Sequence, residues 1–274
     1  MPSREQTIKH VVTIFDETAK GCGSSPHNAW VGIYQALLWY ERTGLPVHTA
    51  LPHIIDADKL RRPASRGRAR AEAALTIWQK RALALEQYLA VELGCQPTDV
   101  KGHVDRLMRR REYRRLQRQN PLGIAFTGLV HHALSLYGDL RLTYEMEQMA
   151  QEVFPGITFP GRSKAPSIDV LVRKNQVPRA IVSVKWSLRH DRINDLTNEC
   201  PAYKQAASWG RRPLDYIVVT NEYDPARLAK VLEDTCFDAV VHVHKPAVVE
   251  VSKLDGRLSR LMDLTDLLGY TNSL

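Results

Sequence analysis

The spacing of apolar residues changes character a little past the middle of the chain. Before residue 155, apolar side chains recur mainly at helical spacing, which predicts a mostly helical region. After it, short runs of β-branched and aliphatic residues predict strands that alternate with helices. The pattern therefore predicts a mixed α/β core behind a helical N-terminal region.

The elements follow from this period and from the Gly and Pro residues that interrupt it. Helices are predicted over 5–20, 27–42, 68–93, an arginine-rich stretch after residue 99, 122–138, 144–154, 191–208, 224–235 and 252–268. Strands are predicted over 167–173, 180–186, 215–221 and 239–244.

Composition changes this picture little. The chain has 274 residues, of which 44% are hydrophobic and 25% charged, as is usual for a globular protein. It contains no apolar run of membrane-spanning length and no signal-peptide pattern at its start. The cysteines are scattered and form no CxxC pair, so free thiols and a cytoplasmic location are expected. These cysteines are Cys22, Cys95, Cys200 and Cys236.

The positive charge is concentrated in one window. Residues 61–118 contain 15 Arg or Lys and 6 Asp or Glu, which gives this window a net charge of +9. The rest of the chain carries −1, so the whole chain has a net charge of +8. Most of the arginines lie in two runs, at 61–70 and 106–118. A solvated helical face is the simpler explanation for one such run. Two runs that together contain a single acid, Glu112, favour contact with phosphate, here by Arg110 and Arg114.

The candidate chemistry begins with a predicted hairpin. A turn centred on residue 176 would place Leu171 opposite Ile181 and Asp169 opposite Ser183, so that Lys185 shares a face with Asp169. A carboxylate that binds Mg²⁺, beside an ammonium that orients water, suits phosphodiester hydrolysis. Taken alone, the acid and the lysine would more simply form a cross-strand ion pair.

Glu199 favours the catalytic interpretation. It follows Lys185 by 14 residues on the next predicted helix, in one stripe with Arg192 and Asp195. A helix packed beside the strand end could bring this carboxylate to the metal. It would then replace the acid that many nucleases carry where Ser183 stands.

The pattern Asp…Ser-x-Lys…Glu, formed by Asp169, Ser183, Lys185 and Glu199, resembles the variant PD-(D/E)xK site of type II restriction endonucleases that recognise CCGG, and within them the BsaWI-like branch. The resemblance implies a central mixed sheet flanked by helices. It also implies a helical region over 1–120 and a catalytic and DNA-recognition domain over 121–274.

Two positions depart from the family pattern. Ile168 precedes Asp169, so the Pro-Asp dipeptide is absent. Thr127 follows Phe126 where relatives often carry a glutamate on the helix before the site. The packing role of Phe126 is expected to survive this change, while Glu145 or Glu147 could supply the missing carboxylate.

A candidate base-reading cluster follows the lysine. Arginine can donate to guanine O6 and N7, and aspartate can accept from the cytosine amino group. The CCGG family carries an Arg-x-Asp-Arg cluster at this offset, which the chain matches at Arg189, Asp191 and Arg192. A charged tetrapeptide alone would be a solvated turn, and its register with Lys185 and Glu199 is what favours recognition.

The resemblance thus implies a Mg²⁺-dependent restriction endonuclease acting on double-stranded DNA as a homo-oligomer, dimer or tetramer. It would cut a palindromic CCGG-containing site to leave 5′ overhangs. A cognate methyltransferase is expected in the cell but not as a physical partner. Two alternatives stay open: a structure-selective repair or junction nuclease of the same superfamily, and a non-catalytic nucleic-acid-binding protein with a decayed site.

Overall fold

A computed structural model describes most of the α/β core and part of the helical region. The described residues are 3–22, 25–39, 87–88, 90–92, 94–99, 121–162, 164–210, 213–252 and 257–274. None of the described helices combines the length and apolar character that crossing a bilayer requires. The predicted domain boundary near residue 120 lies beside a stretch outside these residues and stays a prediction.

A mixed sheet forms the centre of the described structure. Its strands lie side by side in chain order, with the first three antiparallel and the third to the sixth parallel. They are β1 (Leu142–Met149), β2 (Ser167–Lys174), β3 (Val177–Lys185), β4 (Asp215–Thr220), β5 (Ala239–His242) and β6 (Leu261–Asp263).

Helices flank this sheet. Parallel neighbours need crossover connections, and one helix joins each parallel pair along the chain. Strands β4 and β5 are buried almost throughout because helices cover them, as expected from their apolar sequences. The described α-helices are α1 (Arg4–Cys22), α2 (Ala29–Trp39), α3 (Pro121–Tyr137), α4 (Ala150–Val153), α5 (His190–Trp209), α6 (Pro225–Glu233), α7 (Lys245–Ser252) and α8 (Leu264–Tyr270).

The N-terminal helices pack closely on one another and on the core. Helix α1 contacts both α2 and α3, and glycines lie at both crossings. A Cβ at Gly32 would lie 2.5 Å from the Phe15 ring, and one at Gly128 would lie 2.8 Å from Ile8. Larger residues would force these helices apart. The ring of Trp30 on α2 stacks on His244, beyond β5, with centroids 3.8 Å apart.

The structure confirms the predicted fold class and the predicted hairpin. The described sheet is mixed and flanked by helices, and Leu171 faces Ile181 as the turn position predicts. The register shifts by one residue between Val172 and Arg173, so the strands continue to a turn at Asn175 and Gln176. Because the shift lies beyond Val172, the pairing of Leu171 with Ile181 near the candidate site is the one that the predicted turn implies.

The helix predicted over 144–154 is wrong. Residues 142–149 form strand β1, and only Ala150–Val153 is helical. The polar sequence gives no clear strand period, but antiparallel pairing with β2 satisfies its backbone groups. Glu147 has a φ of 60° and interrupts the ladder between Met146 and Gln148. Pairing with a distant strand therefore outweighs local helical preference here.

The single helix predicted over 252–268 is also wrong. Helix α7 precedes this stretch, residues 261–263 pair with β5 as strand β6, and α8 begins afterwards. Asp263 starts α8 because its side chain accepts from the Thr265 backbone N–H while Asp266 accepts from the Asp263 N–H. A strand of three residues is too short to leave a period in the sequence.

The expectation of free thiols is wrong for two of the cysteines. Cys200, buried on α5, forms a disulfide with Cys236 in the turn before β5, and their Cα atoms are 6.2 Å apart. The two residues are 36 positions apart in the chain, and the fold alone brings them together. Cys95 is a free, partly exposed cysteine.

Candidate active site

The hairpin brings three donors to one carboxylate oxygen. Asp169 Oδ2 accepts from the Val184 backbone N–H at 2.8 Å, from Ser183 Oγ at 3.3 Å and from Lys185 Nζ at 2.5 Å. Side chains alternate along β3, so Ser183 and Lys185 both point toward Asp169. The structure therefore brings together the three hairpin residues that the sequence singles out.

Asp169, Ser183 and Lys185 are mostly buried, but two of their side chains keep some contact with solvent. Ser183 is buried, whereas the side chains of Asp169 and Lys185 are 22% and 18% exposed. Lys185 is the last residue of β3, at the carboxyl end of the parallel strands, where α/β sheets commonly bind ligands. The Lys185 ammonium group is therefore partly accessible at this end of the sheet.

Helix α5 carries Glu199, whose carboxylate interacts electrostatically with Asp169 and Lys185. The Glu199 side chain is 12% exposed, and burial raises the pKa of its carboxyl group. The charges of Lys185 and Arg162 oppose that rise, and the negative charges of Asp195 and Asp169 add to it. Asp169 and Lys185 are thus close enough to Glu199 to influence its ionisation, as the predicted displaced-acid arrangement requires.

Arg162 is a neighbour of Glu199 that the sequence did not reveal. It lies in the loop between α4 and β2, with Nη1 2.9 Å from Glu199 Oε1 and Nη2 2.6 Å from Asp195 Oδ1. Phe159 in the same loop packs against Tyr203 of α5, with ring centroids 5.2 Å apart. An isolated arginine in a loop carries no sequence motif, so only the fold reveals this contact.

The donor set fits a magnesium ion. Mg²⁺ keeps several waters and needs only one or two carboxylates from a protein. Asp169 and Glu199 supply two, and among the described residues no donor bonds to Asp169 Oδ1. The described part of the chain holds no group of three or more His, Cys, Asp and Glu suited to a metal ion.

The other acids considered for the site have arginine partners. Glu145 accepts from Arg173 at 3.0 Å across the β1–β2 pair. Glu147 contacts Arg4 of α1. Both lie on a strand rather than on the expected amphipathic helix. Neither forms a three-acid cluster with Asp169 and Glu199 among the described residues.

The helix before the site keeps an aromatic contact. Phe126 is fully buried in α3, and its ring meets Trp186 edge to face with centroids 4.9 Å apart. Trp186 directly follows Lys185, so this contact supports the end of β3. Thr127 is also buried, and it has a hydroxyl group at the position where the family pattern often has a glutamate.

The base-reading candidates lie at the exposed start of α5. Arg189 is the N-cap residue, and its Nη2 lies 2.9 Å from Asp191 Oδ2. Their side chains are 59% and 61% exposed, so both can reach a ligand. Arg192 Nη1 lies 3.8 Å from Asp195 Oδ2. The predicted phosphate contacts Arg110 and Arg114 lie outside the described residues, as do both arginine runs.

Comparison with known proteins gives limited similarity. No protein-family model and no curated protein matches the sequence. A structure of metal-depleted Ecl18kI in complex with uncleaved, modified DNA is 11% identical, covering 100% of this chain and 85% of that one, with a TM-score of 0.38. A second, of metal-depleted Ecl18kI in complex with uncleaved DNA, is 12% identical, covering 99% and 84%, with a TM-score of 0.36.

Proposed function

We propose that this protein is a Mg²⁺-dependent type II restriction endonuclease. The observation that carries the proposal is the convergence of Ser183, the Val184 N–H and Lys185 on Asp169. The charge interaction of Glu199 on α5 with Asp169 and Lys185 adds to it. A cross-strand ion pair alone would not require a second, mostly buried carboxylate next to it. The pairing of a partly exposed lysine with two acids is what metal-assisted phosphodiester hydrolysis uses.

Each residue of the site has its own proposed role. Asp169 and Glu199 would hold Mg²⁺, together with the Val184 carbonyl, and the ion would polarise the scissile phosphate and acidify a water. Lys185 would orient that water and offset the negative charge that develops on the phosphate. The Ser183 hydroxyl and the Val184 N–H hold Asp169 in place from the neighbouring strand.

Base recognition is assigned to the start of α5. Arg189 and Arg192 would each donate to a guanine, and Asp191 would accept from a cytosine amino group. The Arg189–Asp191 pair supports this assignment because it holds two exposed side chains together before DNA is present. The proposed target is a palindromic duplex site containing CCGG, cut before the first C to leave 5′ overhangs. A symmetric dimer or tetramer would match its two scissile phosphates.

A plasmid-cleavage assay tests the proposal. The wild-type protein should cut plasmid DNA into a discrete set of fragments with Mg²⁺ and leave it intact with EDTA. A Lys185→Ala variant prepared in parallel controls for contaminating nucleases. Uncut plasmid under all conditions would indicate a non-catalytic binder. Cutting only at branched or damaged DNA would indicate a structure-selective nuclease.

A further inference from the structure

Arg162 joins two acids on one face of α5. Asp195 and Glu199 are four residues apart, so their side chains emerge on the same side of the helix. The guanidinium group contacts Asp195 Oδ1 at 2.6 Å through Nη2 and Glu199 Oε1 at 2.9 Å through Nη1. A planar group with fixed donor directions can set the separation and orientation of two carboxylates, which a lysine cannot do.

Glu199 has few other supports. Its side chain is mostly buried, and its remaining charged neighbours are Lys185, Asp195 and Asp169. Lys185 is already bonded to Asp169, and the two aspartates repel Glu199. Among the described residues, Arg162 is the cation in direct contact with the Glu199 carboxylate. Losing it would leave Lys185 as the remaining cation that attracts Glu199 among the described residues, against the repulsion of two aspartates.

The loop that carries Arg162 is itself fixed to α5. Phe154 and Phe159 both pack their rings against Tyr203, one turn beyond Glu199, with centroids 5.8 and 5.2 Å away. The Arg162 backbone N–H donates to the Phe159 carbonyl at 3.3 Å. The packing of Phe154 and Phe159 on Tyr203 therefore fixes the loop that directs the Arg162 guanidinium group toward α5.

Resting on the proposed nuclease function, we propose that Arg162 is a positioning residue that holds the Glu199 carboxylate toward Asp169 and Lys185. Asp195 anchors Arg162 in turn. Arg192 lies 3.8 Å from Asp195, so the same ion-pair chain reaches the base-reading cluster. Asp195 therefore pairs with both Arg192, the proposed guanine contact, and Arg162, the proposed support of Glu199.

The test uses three substitutions in the full-length protein. Arg162→Ala removes the guanidinium group, Arg162→Lys keeps the charge without the fork, and Asp195→Asn removes the anchor from the other side. Arg173→Ala is the matched control, because Arg173 also makes a partly buried ion pair between two elements. The measurements are single-turnover cleavage with Mg²⁺, DNA binding in Ca²⁺, binding of Mn²⁺ to the DNA-free protein, and thermal stability.

Arg162→Ala is expected to slow cleavage and weaken Mn²⁺ binding by about 10-fold to 100-fold, as is typical when an outer support of a metal ligand is removed. Arg162→Lys and Asp195→Asn should show the same pattern with smaller losses. The Arg162→Ala, Asp195→Asn double variant should be no worse than Arg162→Ala, because both changes remove one support. For the two Arg162 variants, Ca²⁺-dependent DNA binding should be unchanged, and thermal stability should match that of Arg173→Ala.

The possible results separate the two proposals. If the wild type cuts DNA while Arg162→Ala cuts equally fast or binds Mn²⁺ equally or more tightly, the positioning role is wrong and the nuclease assignment stands. If Arg162→Ala loses DNA binding and cleavage by the same factor, Arg162 is a phosphate contact and the positioning role again fails. A wild type that neither binds Mn²⁺ nor cuts DNA would overturn the proposed function and this role together.

Discussion

At the scale of single residues, one carboxylate organises the candidate site. Asp169 receives donors from a backbone amide, a hydroxyl and an ammonium group, all on Oδ2. Charge-assisted hydrogen bonds of this kind are stronger than neutral ones and fix the side chain before any substrate arrives. The adjacent residues on β3 thus determine both the position of the acid and that of the lysine.

Substitution of the three charged site residues should separate cleavage from binding. Asp169→Ala, Lys185→Ala and Glu199→Ala should each reduce the cleavage rate by at least about 100-fold, since each removes a metal ligand or the group that orients water. Specific binding in Ca²⁺ should stay detectable because DNA affinity comes mainly from phosphate and base contacts. Lys204, one turn beyond Glu199 on the same helix, pairs with Asp238, and Lys204→Ala is the control. Wild-type cleavage by Glu199→Ala would refute the displaced-acid assignment.

Substitution of the arginines in the base-reading cluster should weaken binding to cognate DNA only. Arg189→Ala or Arg192→Ala should weaken binding to a CCGG-centred duplex by about 1–3 kcal/mol per lost base contact, with little effect on a scrambled duplex. Gel shifts at two salt concentrations measure both. Arg141→Ala is a matched control, because Arg141 also pairs with an aspartate two residues away. Equal weakening on both duplexes would make the cluster a phosphate clamp and remove the support for CCGG.

At the scale of elements, helix α5 carries both proposed activities. Its N-cap region holds the exposed reader residues, and its second and third turns hold Asp195 and Glu199. Its middle and later turns are fixed by the Cys200–Cys236 disulfide and by the packing of Tyr203 against Tyr216 of β4. A shift of this helix would therefore move the reader and the metal carboxylate at the same time.

Removing the disulfide should lower stability and loosen this helix. A Cys200→Ser, Cys236→Ser double variant should lose about 2–4 kcal/mol of unfolding free energy, because the cross-link limits the unfolded chain. Denaturant unfolding without reductant measures the loss, and Cys95→Ser controls for removal of an unpaired thiol. Equal stability of the double variant and the control would show that the cross-link does not stabilise the fold.

The sequence predicted the elements with strong periods and failed where partners are remote. The β2–β3 hairpin was predictable because alternation and a turn fix its register locally. Strand β1 was not, since its polar residues become a strand only through pairing with β2. Arg162 and Cys236 reach α5 through tertiary contacts, from positions that no spacing rule connects to Glu199 or Cys200. The sequence therefore singled out the hairpin residues and Glu199, but not the arginine that contacts Glu199.

At the scale of the whole molecule, a histidine joins the N-terminal helices to the sheet. His244 follows β5, stacks on Trp30 of α2, and its Nε2 lies 2.9 Å from the Tyr88 hydroxyl. Burial lowers the pKa of His244 to about 4, and the charge of Asp263 opposes this shift. The junction thus relies on an uncharged imidazole between two aromatic residues from the helical region.

This junction should make stability dependent on pH. The folded-state pKa lies below the ordinary value of 6.5, so the unfolded chain binds the extra proton first. Stability contributed by His244 is fully present above about pH 6.5 and is lost as pH falls toward 4. Between pH 7 and pH 5 the loss should be about 2 kcal/mol. Urea unfolding should show a shallower pH dependence for His244→Gln than for the wild type, and His27→Gln, an exposed histidine, should behave as wild type. Identical profiles for all three proteins would contradict the role of this junction.

The proposed metal ligands, the lysine and the base-reading cluster all lie between residues 169 and 199. The remaining chain supports that segment without contributing a proposed chemical group apart from Arg162 and the arginine runs. Specificity and chemistry would therefore be inherited as one short piece of coding sequence. Exchange of this one segment would therefore transfer the proposed target site and its cleavage centre together, without any change to the surrounding scaffold.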